Sequence, residues 1–401
     1  TTVLELTQAK QSFAFPGHAT RPIPSILRDF SAPVILDHEI DNERRAFLLA
    51  HDTDPFNRWE AGRMLARNSL IASITDGTPP DTAYLDGLGA MLRDTGLDPA
   101  YRALMLGQPS QSELAGLLHQ SGTVPDPAAI HAASEDLRQA KATAFADFLP
   151  TLYAENQTEG PFSPEAEPAG KRALANAALG LLTRMDQGAT AAAQYAQADN
   201  MTQQLAALGA LLDAGQGDDA LDAFYRQWRD DRLVIDKWFG LQVLHSKPHD
   251  TAGTARQLTG HADFDWKNPN RFRAVMGAMQ MHHAGFHHGD GVAYALLADW
   301  LIRLDPVNPQ TTAHMSTAFQ TWKRYDTDRQ SLIAAELDRM LGIISSNPER
   351  LKFTGFMGYE AHVPHAPPIL TSTSKEFKKS MDKYLMHYQY GKAHYPALFK
   401  G

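Results

Sequence analysis

Apolar residues recur with a helical period of 3.6 over most of this 401-residue chain, from about residue 41 onward. One predicted helical face carries Phe145, Phe148, Leu149, Leu152 and Tyr153. Gly- and Pro-containing breaks recur at 125–127, 160–168, 215–219, 248–253 and 306–309. Paired amphipathic helices joined by short polar loops indicate a mainly α fold of the α-solenoid type, although no strict sequence repeat is present.

The first 36 residues follow a different pattern, which predicts β-structure. Short apolar runs include Val3, Leu4, Leu6, Phe13, Phe15, Val34, Ile35 and Leu36. Pro16-Gly17 and the pair Pro22 and Pro24 mark turns and strand edges. About three short strands cannot bury a sheet by themselves. We therefore expect residues 1–38 to be the end of a β-sandwich-like domain whose earlier strands are missing, and residues 39–350 to be the helical domain.

Composition excludes several classes of function. The net charge of -9 and the pI of about 6.0 argue against nucleic acid as a partner. Cysteine is absent, so the chain has no disulfide and no thiolate metal site, which is compatible with a cytoplasmic location. No run of about 18 apolar residues occurs, so we expect no membrane partner.

Basic residues change identity near residue 351. Residues 1–351 contain 23 Arg and 7 Lys, whereas residues 352–401 contain 7 Lys and no Arg, together with 5 of the 12 Tyr. An ordinary basic tail would explain this change, and so would a junction between two unrelated sequences. We favour the second interpretation, in which residues 352–401 are a poorly packed tail of different origin.

Two arginines are the candidate substrate-binding residues. The turn at 268–270, Asn-Pro-Asn, caps a predicted helix that opens with Arg271 and Arg273. A cation at a helix N-terminus opposes the macrodipole, so a compensating anion is expected nearby. That anion is either a ligand carboxylate or a salt-bridge partner, Asp263 or Asp265.

Neither catalytic nor metal-binding residues can be assigned. The sequence has no Gly-x-Ser-x-Gly elbow and no phosphate loop. His38-Glu39 begins like a zinc-binding helix, but Asn42 stands where that motif needs its second histidine. The cluster His282, His283, His287 and His288 lacks a clear third ligand. We expect it to be a solvated loop that binds metal only adventitiously.

Six segments, in order, resemble the C-terminal part of bacterial aminopeptidase N, a family of zinc metallo-aminopeptidases. They are 29–34, 56–61, 200–202, 234–239, 268–273 and 323–326. In the second segment Phe56 and Trp59 are three residues apart at a helix start, so we expect both to pack inward. The resemblance covers roughly residues 1–350. It implies that residues 1–38 close a third, β-sandwich-like domain. Residues 39–350 would form a fourth domain, a bowl of helical pairs that caps the active site and limits access to short peptides.

The resemblance also implies what this chain lacks. In the intact family a glutamate activates a zinc-bound water, and none of those groups maps onto this sequence. We therefore expect a non-catalytic portion that binds no zinc of its own and has no peptidase activity alone. Its partners would be peptides and the missing N-terminal catalytic domains, and Arg273 would face an internal cavity and attract a peptide C-terminus.

One segment matches a signature of this family only in part. Gly277–Met281 resembles the Gly-x-Met-x-Asn motif that anchors the free amine of a substrate in these enzymes. Gln280 and Met281 stand at positions where that chemistry needs other residues. We therefore predict core packing for this segment.

Two other hypotheses stay open from the sequence. The first is a stand-alone helical scaffold that binds peptide or protein in its concave face, with Arg271 and Arg273 as contacts. The second comes from residues 351–382, which weakly resemble one strand-and-helix unit of pyridoxal-phosphate enzymes of the D-threonine aldolase and D-amino acid deaminase type. No Schiff-base lysine can be assigned in that segment.

Overall fold

The structure of the chain is a computed structural model that describes residues 2–34, 36, 38 and 40–345. The first half is a succession of helices from residue 42 onward. They are α1 (Asn42–His51), α2 (Pro55–Asp76), α3 (Thr82–Arg93), α4 (Pro99–Met105), α5 (Gln111–Gln120), α6 (Pro127–Ala144), α7 (Leu149–Glu155) and α8 (Ala166–Asp186). The tail predicted over 352–401, and with it the pyridoxal-phosphate resemblance, lies outside the described residues.

Helices also make up the second half. They are α9 (Ala189–Gln197), α10 (Met201–Asp213), α11 (Asp218–Trp228), α12 (Ile235–Leu244), α13 (Thr251–Thr259), α14 (Pro269–Phe272), α15 (Ala278–Met281), α16 (His283–Phe286), α17 (Val292–Leu304), α18 (Pro309–Ser316) and α19 (Thr327–Ser345). A π-helical turn, Arg273–Gly277, joins α14 to α15. The predicted mainly α architecture is confirmed over the described residues.

Aspartate–proline pairs start several of these helices. The carboxylates of Asp54, Asp98 and Asp126 accept hydrogen bonds from backbone N–H groups in the first turns of α2, α4 and α6. The proline that follows each aspartate occupies the first helical turn, where a missing N–H is harmless and its fixed φ suits a helix. These local signals place helix starts independently of tertiary contacts.

The strands predicted in the first 36 residues do not form within the described part of the chain. Residues 2–34 are extended or irregular apart from a single 3₁₀ turn, Arg28–Phe30. A strand is stabilised mainly by its cross-strand neighbours, and the described residues supply no partner strand. The apolar side chains that suggested strands, such as Val3 and Leu6, are consequently exposed.

Two details of the helix prediction also need correction. The face predicted as one helix from Phe145 to Tyr153 is interrupted, because residues 145–148 form a turn between α6 and α7. Phe145 and Leu149 are nevertheless buried, so the period identified core positions correctly. Phe56 was expected to pack inward beside Trp59, but it is 40% exposed and contacts the ring of Phe30.

The helices enclose two apolar cores that meet at α8. One core draws on α1 to α8 and the other on α8 to α19. Within α8, Leu179 belongs to the second core, while its neighbours Ala178 and Leu181 belong to the first. Tyr153 packs against both cores. The central helix therefore joins the halves by contributing side chains to both cores.

The superhelix closes on itself. Helices α5 and α6 of the first half contact α16 of the second, and α5 also contacts the 3₁₀ turn Trp322–Arg324. At this junction the rings of His131 and His282 stack with their centroids 6.2 Å apart. Gly285 permits close packing of α16 on α13, because a Cβ there would lie 2.2 Å from Oγ1 of Thr251. The closed ring leaves space at its centre.

Candidate functional site

Two adjoining cavities lie between the halves of the ring. The first has a volume of about 790 Å³ and the second about 680 Å³. The histidine-lined cavity is defined by His131, His282, His283 and His287. The arginine-lined cavity is defined by Arg138, Lys141 and Arg184. The two share the wall residues Glu135, Arg138, Asp213, Leu244 and His245. They therefore present one polar surface toward the ring centre.

Helix α6 supplies the polar side chains that run from one cavity to the other. His131, Glu135 and Arg138 are spaced by four and three residues, which places them on one helical face. The opposite face carries Ile130 and Leu137, both of which belong to the first apolar core. The amphipathicity of α6 thus orients a basic and acidic stripe toward the cavities.

Two of the histidines of the histidine-lined cavity, His283 and His287, are each paired with a tyrosine behind them. Nε2 of His283 lies 3.0 Å from the hydroxyl of Tyr325, and Nδ1 of His287 lies 2.9 Å from the hydroxyl of Tyr294. The ring of His287 also packs on that of Tyr325, with centroids 4.1 Å apart. Nε of Arg329 donates to the carbonyl oxygen of His287 at 2.7 Å. These bonds tie α16 to α17 and α19.

The expectation of a solvated histidine loop was therefore wrong for two of its four members. His283 and His287 are buried, because α17 and α19 cover the side of α16 that carries them. Burial lowers the pKa of His283 to about 4, with a further contribution from His282. Burial also lowers the pKa of His287 well below its usual value. Both imidazoles are consequently neutral at pH 7.

Charged side chains dominate the wall that the two cavities share. Arg138 donates to Oε1 of Glu135, and Arg184 donates to Oε2 of the same carboxylate. These guanidinium groups hold the pKa of Glu135 below its usual value, although burial opposes that shift. Across the wall, Nδ1 of His245 lies 2.7 Å from Oδ1 of Asp213. One carboxylate thus bridges two cations that come from α6 and α8.

The arginine-lined cavity also contains a buried lysine, Lys141. Nζ of Lys141 donates to the carbonyl oxygens of Leu106 and Gly107 at 3.0 and 3.4 Å, at the end of α4. It also lies 5.6 Å from the ring centroid of Tyr84. Burial, followed by the charge of Arg138, lowers the pKa of Lys141 to about 7. Nζ of Lys141 therefore holds the end of α4 in place, although the residue also lines the arginine-lined cavity.

Arg271, one of the two predicted substrate contacts, is only 5% exposed. Its Nε donates to Oδ1 of Asp236, and Nη1 donates to the carbonyl oxygen of Asp263. The guanidinium also stacks over the ring of Phe239. The compensating anion is thus Asp236, on α12, and not the carboxylate of Asp263 or of Asp265. Only the folded chain brings that distant carboxylate within reach.

Arg273 is exposed at the start of the π-helical turn, where Nη1 lies 3.5 Å from Oδ1 of Asn270. Neither Arg271 nor Arg273 lines the two cavities described above. A contact between either arginine and a peptide stays a prediction. The neighbouring segment packs largely as expected: Met279 is buried, Gln280 donates to the carbonyl oxygen of Met315, and Met281 is 74% exposed.

Sequence reasoning missed Glu135, Arg138 and Arg184 as site residues. A usable signal was present, since His131, Glu135 and Arg138 form a polar stripe on one face of a helix that is otherwise rich in apolar and small residues. Such stripes usually face solvent. Only the closure of the ring shows that this one lines a cavity between the two halves.

Comparison with known families accounts for this architecture. A family model described as "Domain of unknown function (DUF3458_C) ARM repeats" matches residues 42–347. The chain belongs to this family. A second model, "Domain of unknown function (DUF3458) Ig-like fold", matches residues 1–39 of the same DUF3458_C chain. The predicted α-solenoid following a sandwich-like segment is thereby confirmed.

Curated relatives of this DUF3458_C chain are bacterial. Aminopeptidase N of Caulobacter vibrioides is 37% identical over 350 residues, which is 85% of this chain and 40% of that protein. Aminopeptidase N of Escherichia coli K12 is 34% identical over 352 residues, again 85% and 40%. The resemblance to the C-terminal region of aminopeptidase N is confirmed. The chain spans about 40% of the length of these relatives.

A solved structure shows the same arrangement of helices. The crystal structure of Legionella pneumophila aminopeptidase A in complex with aspartic acid aligns with a TM-score of 0.74 at 27% identity. The alignment covers 85% of this chain and 41% of that one. The closed helical ring of the DUF3458_C chain is therefore shared with part of a longer protein.

Proposed function

We propose that this chain is the helical, non-catalytic portion of an aminopeptidase that removes N-terminal residues from peptides, and that its ring restricts which peptides reach the active site. The central observation is the closure of the ring around two polar cavities. Their volumes suit short peptides rather than folded proteins, because ligand cavities of about 300–1,000 Å³ enclose small molecules. The relatives named aminopeptidase N support the reaction class.

Zinc enters this proposal only through the rest of such a protein. Among the residues that the structure describes, no group of three or more His, Asp or Glu side chains could hold a metal ion. His283 and His287 each bond a tyrosine hydroxyl and are buried, so this pair does not fit a catalytic zinc site. The residues present here bind and position, and they perform no hydrolytic step.

The proposed location is cytoplasmic, with peptides and the N-terminal catalytic domains as partners. None of the helices in the described part of the chain is long and apolar enough to cross a bilayer. The extended segment 2–34 carries exposed Val3, Leu6 and Phe15, which suits contact with further domains.

A reconstitution experiment tests this function. The purified chain is mixed with the part of Caulobacter vibrioides aminopeptidase N that precedes the matched region, and hydrolysis of alanine p-nitroanilide and of peptides of four to twenty residues is measured. We expect no turnover by the chain alone. On mixing, we expect a complex by size-exclusion chromatography and slower cleavage of the longer peptides relative to the anilide.

Two outcomes would contradict the proposal. Anilide turnover by the pure chain after loading with zinc would show a catalytic centre in these 401 residues. Peptide binding by the chain without any association with the catalytic part would favour the alternative, a stand-alone scaffold that binds peptides in its concave face.

A further inference from the structure

The shared wall of the two cavities carries an imbalance of charge. Glu135 is the only ion-pair partner of Arg138 and of Arg184 among the residues that the structure describes. One carboxylate therefore neutralises one of two guanidinium groups. The other nearby carboxylate, Asp213, is hydrogen-bonded to His245. Arg138, Arg184 and Glu135 together therefore carry one excess positive charge, and the two remaining charged groups of the cavity, Lys141 and Asp213, are of opposite sign.

Both guanidinium groups can reach a ligand. The side chains of Arg138 and Arg184 retain 44% and 22% of their accessible surface, and both line the arginine-lined cavity. A guanidinium has five N–H donors, and Glu135 accepts one hydrogen bond from each arginine. Lys141, the third cation of this cavity, has its ammonium bonded to backbone carbonyls and does not compete.

The ligand that suits this arrangement is a monoanion. A carboxylate matches guanidinium donors with two parallel hydrogen bonds, and such charge-assisted bonds are about twice as strong as neutral ones. One excess positive charge balances one carboxylate. A dianion would exceed that balance and would be repelled by Glu135, which lies between the two arginines.

We propose that Arg138 and Arg184 bind a carboxylate of the peptide that occupies the arginine-lined cavity, with Glu135 holding the two guanidinium groups in position. This inference rests on the proposed function, since it requires that peptides enter the ring. It adds a specificity: peptides with a free carboxyl group near this wall bind more tightly than peptides without one. The site is separate from Arg271 and Arg273, which lie outside both cavities.

The test measures peptide binding to the full chain by isothermal titration calorimetry at low salt. The probes are tetra-alanine with a free C-terminus, tetra-alanine amide, and an amidated tetrapeptide with one aspartate side chain. We expect the free acid to bind about tenfold more tightly than the amide, as a charge-assisted bond would give. The aspartate peptide shows whether a side-chain carboxylate serves equally well.

Variants separate charge recognition from structure. Arg138→Gln combined with Arg184→Gln should abolish the tenfold preference for the acid while leaving the weaker binding of the amide unchanged. Gly180→Phe offers a steric variant, because Gly180 lines the same cavity and a Cβ there meets no atom within 4 Å. Gly180→Phe should weaken the binding of all three peptides. Arg93→Gln removes an exposed pair with Asp147 and should change nothing.

The possible results distinguish this inference from the proposed function. Equal binding of acid and amide by the unaltered chain would refute carboxylate recognition and leave peptide entry standing. A preference for the acid that survives the double arginine variant would place the carboxylate elsewhere in the ring. If none of the three peptides binds, both carboxylate recognition and peptide entry into the ring are refuted.

Discussion

His283 and His287 lie one helical turn apart, and each uses one ring nitrogen to bond a tyrosine hydroxyl. Their spacing of four residues is evident in the sequence. Their burial is not, because it depends on α17 and α19 folding back over α16. A histidine in a Gly-rich, His-rich stretch has the composition of a loop. At these residues packing against α17 and α19 produces a buried segment instead of a solvated loop.

The neutral state of these histidines makes stability depend on pH. In the unfolded chain they take up protons below about pH 6.5. In the folded chain His283 does so only near pH 4, because burial disfavours its charged form. The unfolded state therefore binds more protons between these values. We expect His283 alone to lower the free energy of unfolding by about 1.4 kcal/mol per pH unit as the pH drops from 6.5 to 4, and His287 to act in the same direction.

Urea unfolding at pH 7.5 and at pH 5.0 measures this dependence. Because other groups also titrate in this range, His283→Gln is the informative comparison, and it should show a smaller loss of stability between the two pH values than the unaltered chain. His249→Gln is the matched control, since His249 is exposed. An identical pH dependence in the unaltered chain and in His283→Gln would contradict the assigned neutral state.

Gly285 shows the same limit of sequence reasoning. From the sequence it weakens a helix between two histidines. In the structure it is the point where α16 approaches Thr251 of α13, within a distance that any side chain would prevent. A glycine that interrupts a helix and one that permits close contact look alike until the neighbouring helix is known.

At the scale of single elements, buried cations recur at helix C-termini. Nε of Arg58 in α2 donates to the carbonyl oxygen of Leu49 at the end of α1, at 3.0 Å. Nε of Arg102 in α4 donates to that of Leu92 at the end of α3, also at 3.0 Å. Lys141 acts likewise on the end of α4. The last carbonyls of a helix have no partner inside it, and a cation there also suits the macrodipole.

Removing one of these cations should cost stability. Arg102→Met keeps much of the aliphatic packing but leaves the buried carbonyl oxygen of Leu92 without its guanidinium donor. We expect a loss of about 1–3 kcal/mol in the free energy of unfolding, measured by urea denaturation. Arg44→Met is the control, because Arg44 forms an exposed ion pair with Asp41 and should change stability by less than about 0.5 kcal/mol. Equal effects of the two substitutions would contradict the capping role.

Helix starts could be predicted at this scale, and helix ends less well. The aspartate–proline pairs that open α2, α4 and α6 are local signals, so they are readable from a few residues. The donors that close α1 and α3 come from the following helices and cannot be recognised without their packing. The early strands show the opposite case, since their pattern was local but their stability depends on partner strands.

At the scale of the whole molecule, α8 contributes to both apolar cores and so couples them. Leu179 faces one core, and Leu174, Ala178 and Leu181 face the other. Damage to the first half should therefore destabilise the second. The order of the helices along the chain could be predicted from the sequence. The closure of the ring could not, because it brings α5 and α6 into contact with α16 across about half of the helical region.

The tryptophans allow this coupling to be measured. Trp59 lies in the first half, and Trp228, Trp238, Trp266, Trp300 and Trp322 lie in the second. In a Trp59→Phe background, tryptophan fluorescence reports the second half and far-ultraviolet circular dichroism reports both. We expect the two urea transitions to coincide. Leu88→Ala in the first core should move both to lower urea, with a loss of about 2–5 kcal/mol.

The coupling would be disproved by a fluorescence midpoint that Leu88→Ala leaves in place while circular dichroism develops an earlier phase. Leu104→Ala provides the control, because Leu104 is 58% exposed and its truncation opens no cavity.

Contact between α5 and α16 has a consequence for how such proteins can change over evolutionary time. Open arrays of helical repeats lengthen readily, since a duplicated pair adds to one end without disturbing the rest. Here a helical pair inserted between α6 and α16 would force these two helices apart and break the contact between His131 and His282. Length variation among homologues should therefore concentrate in outward-facing connections, while the number of helices around the ring stays fixed.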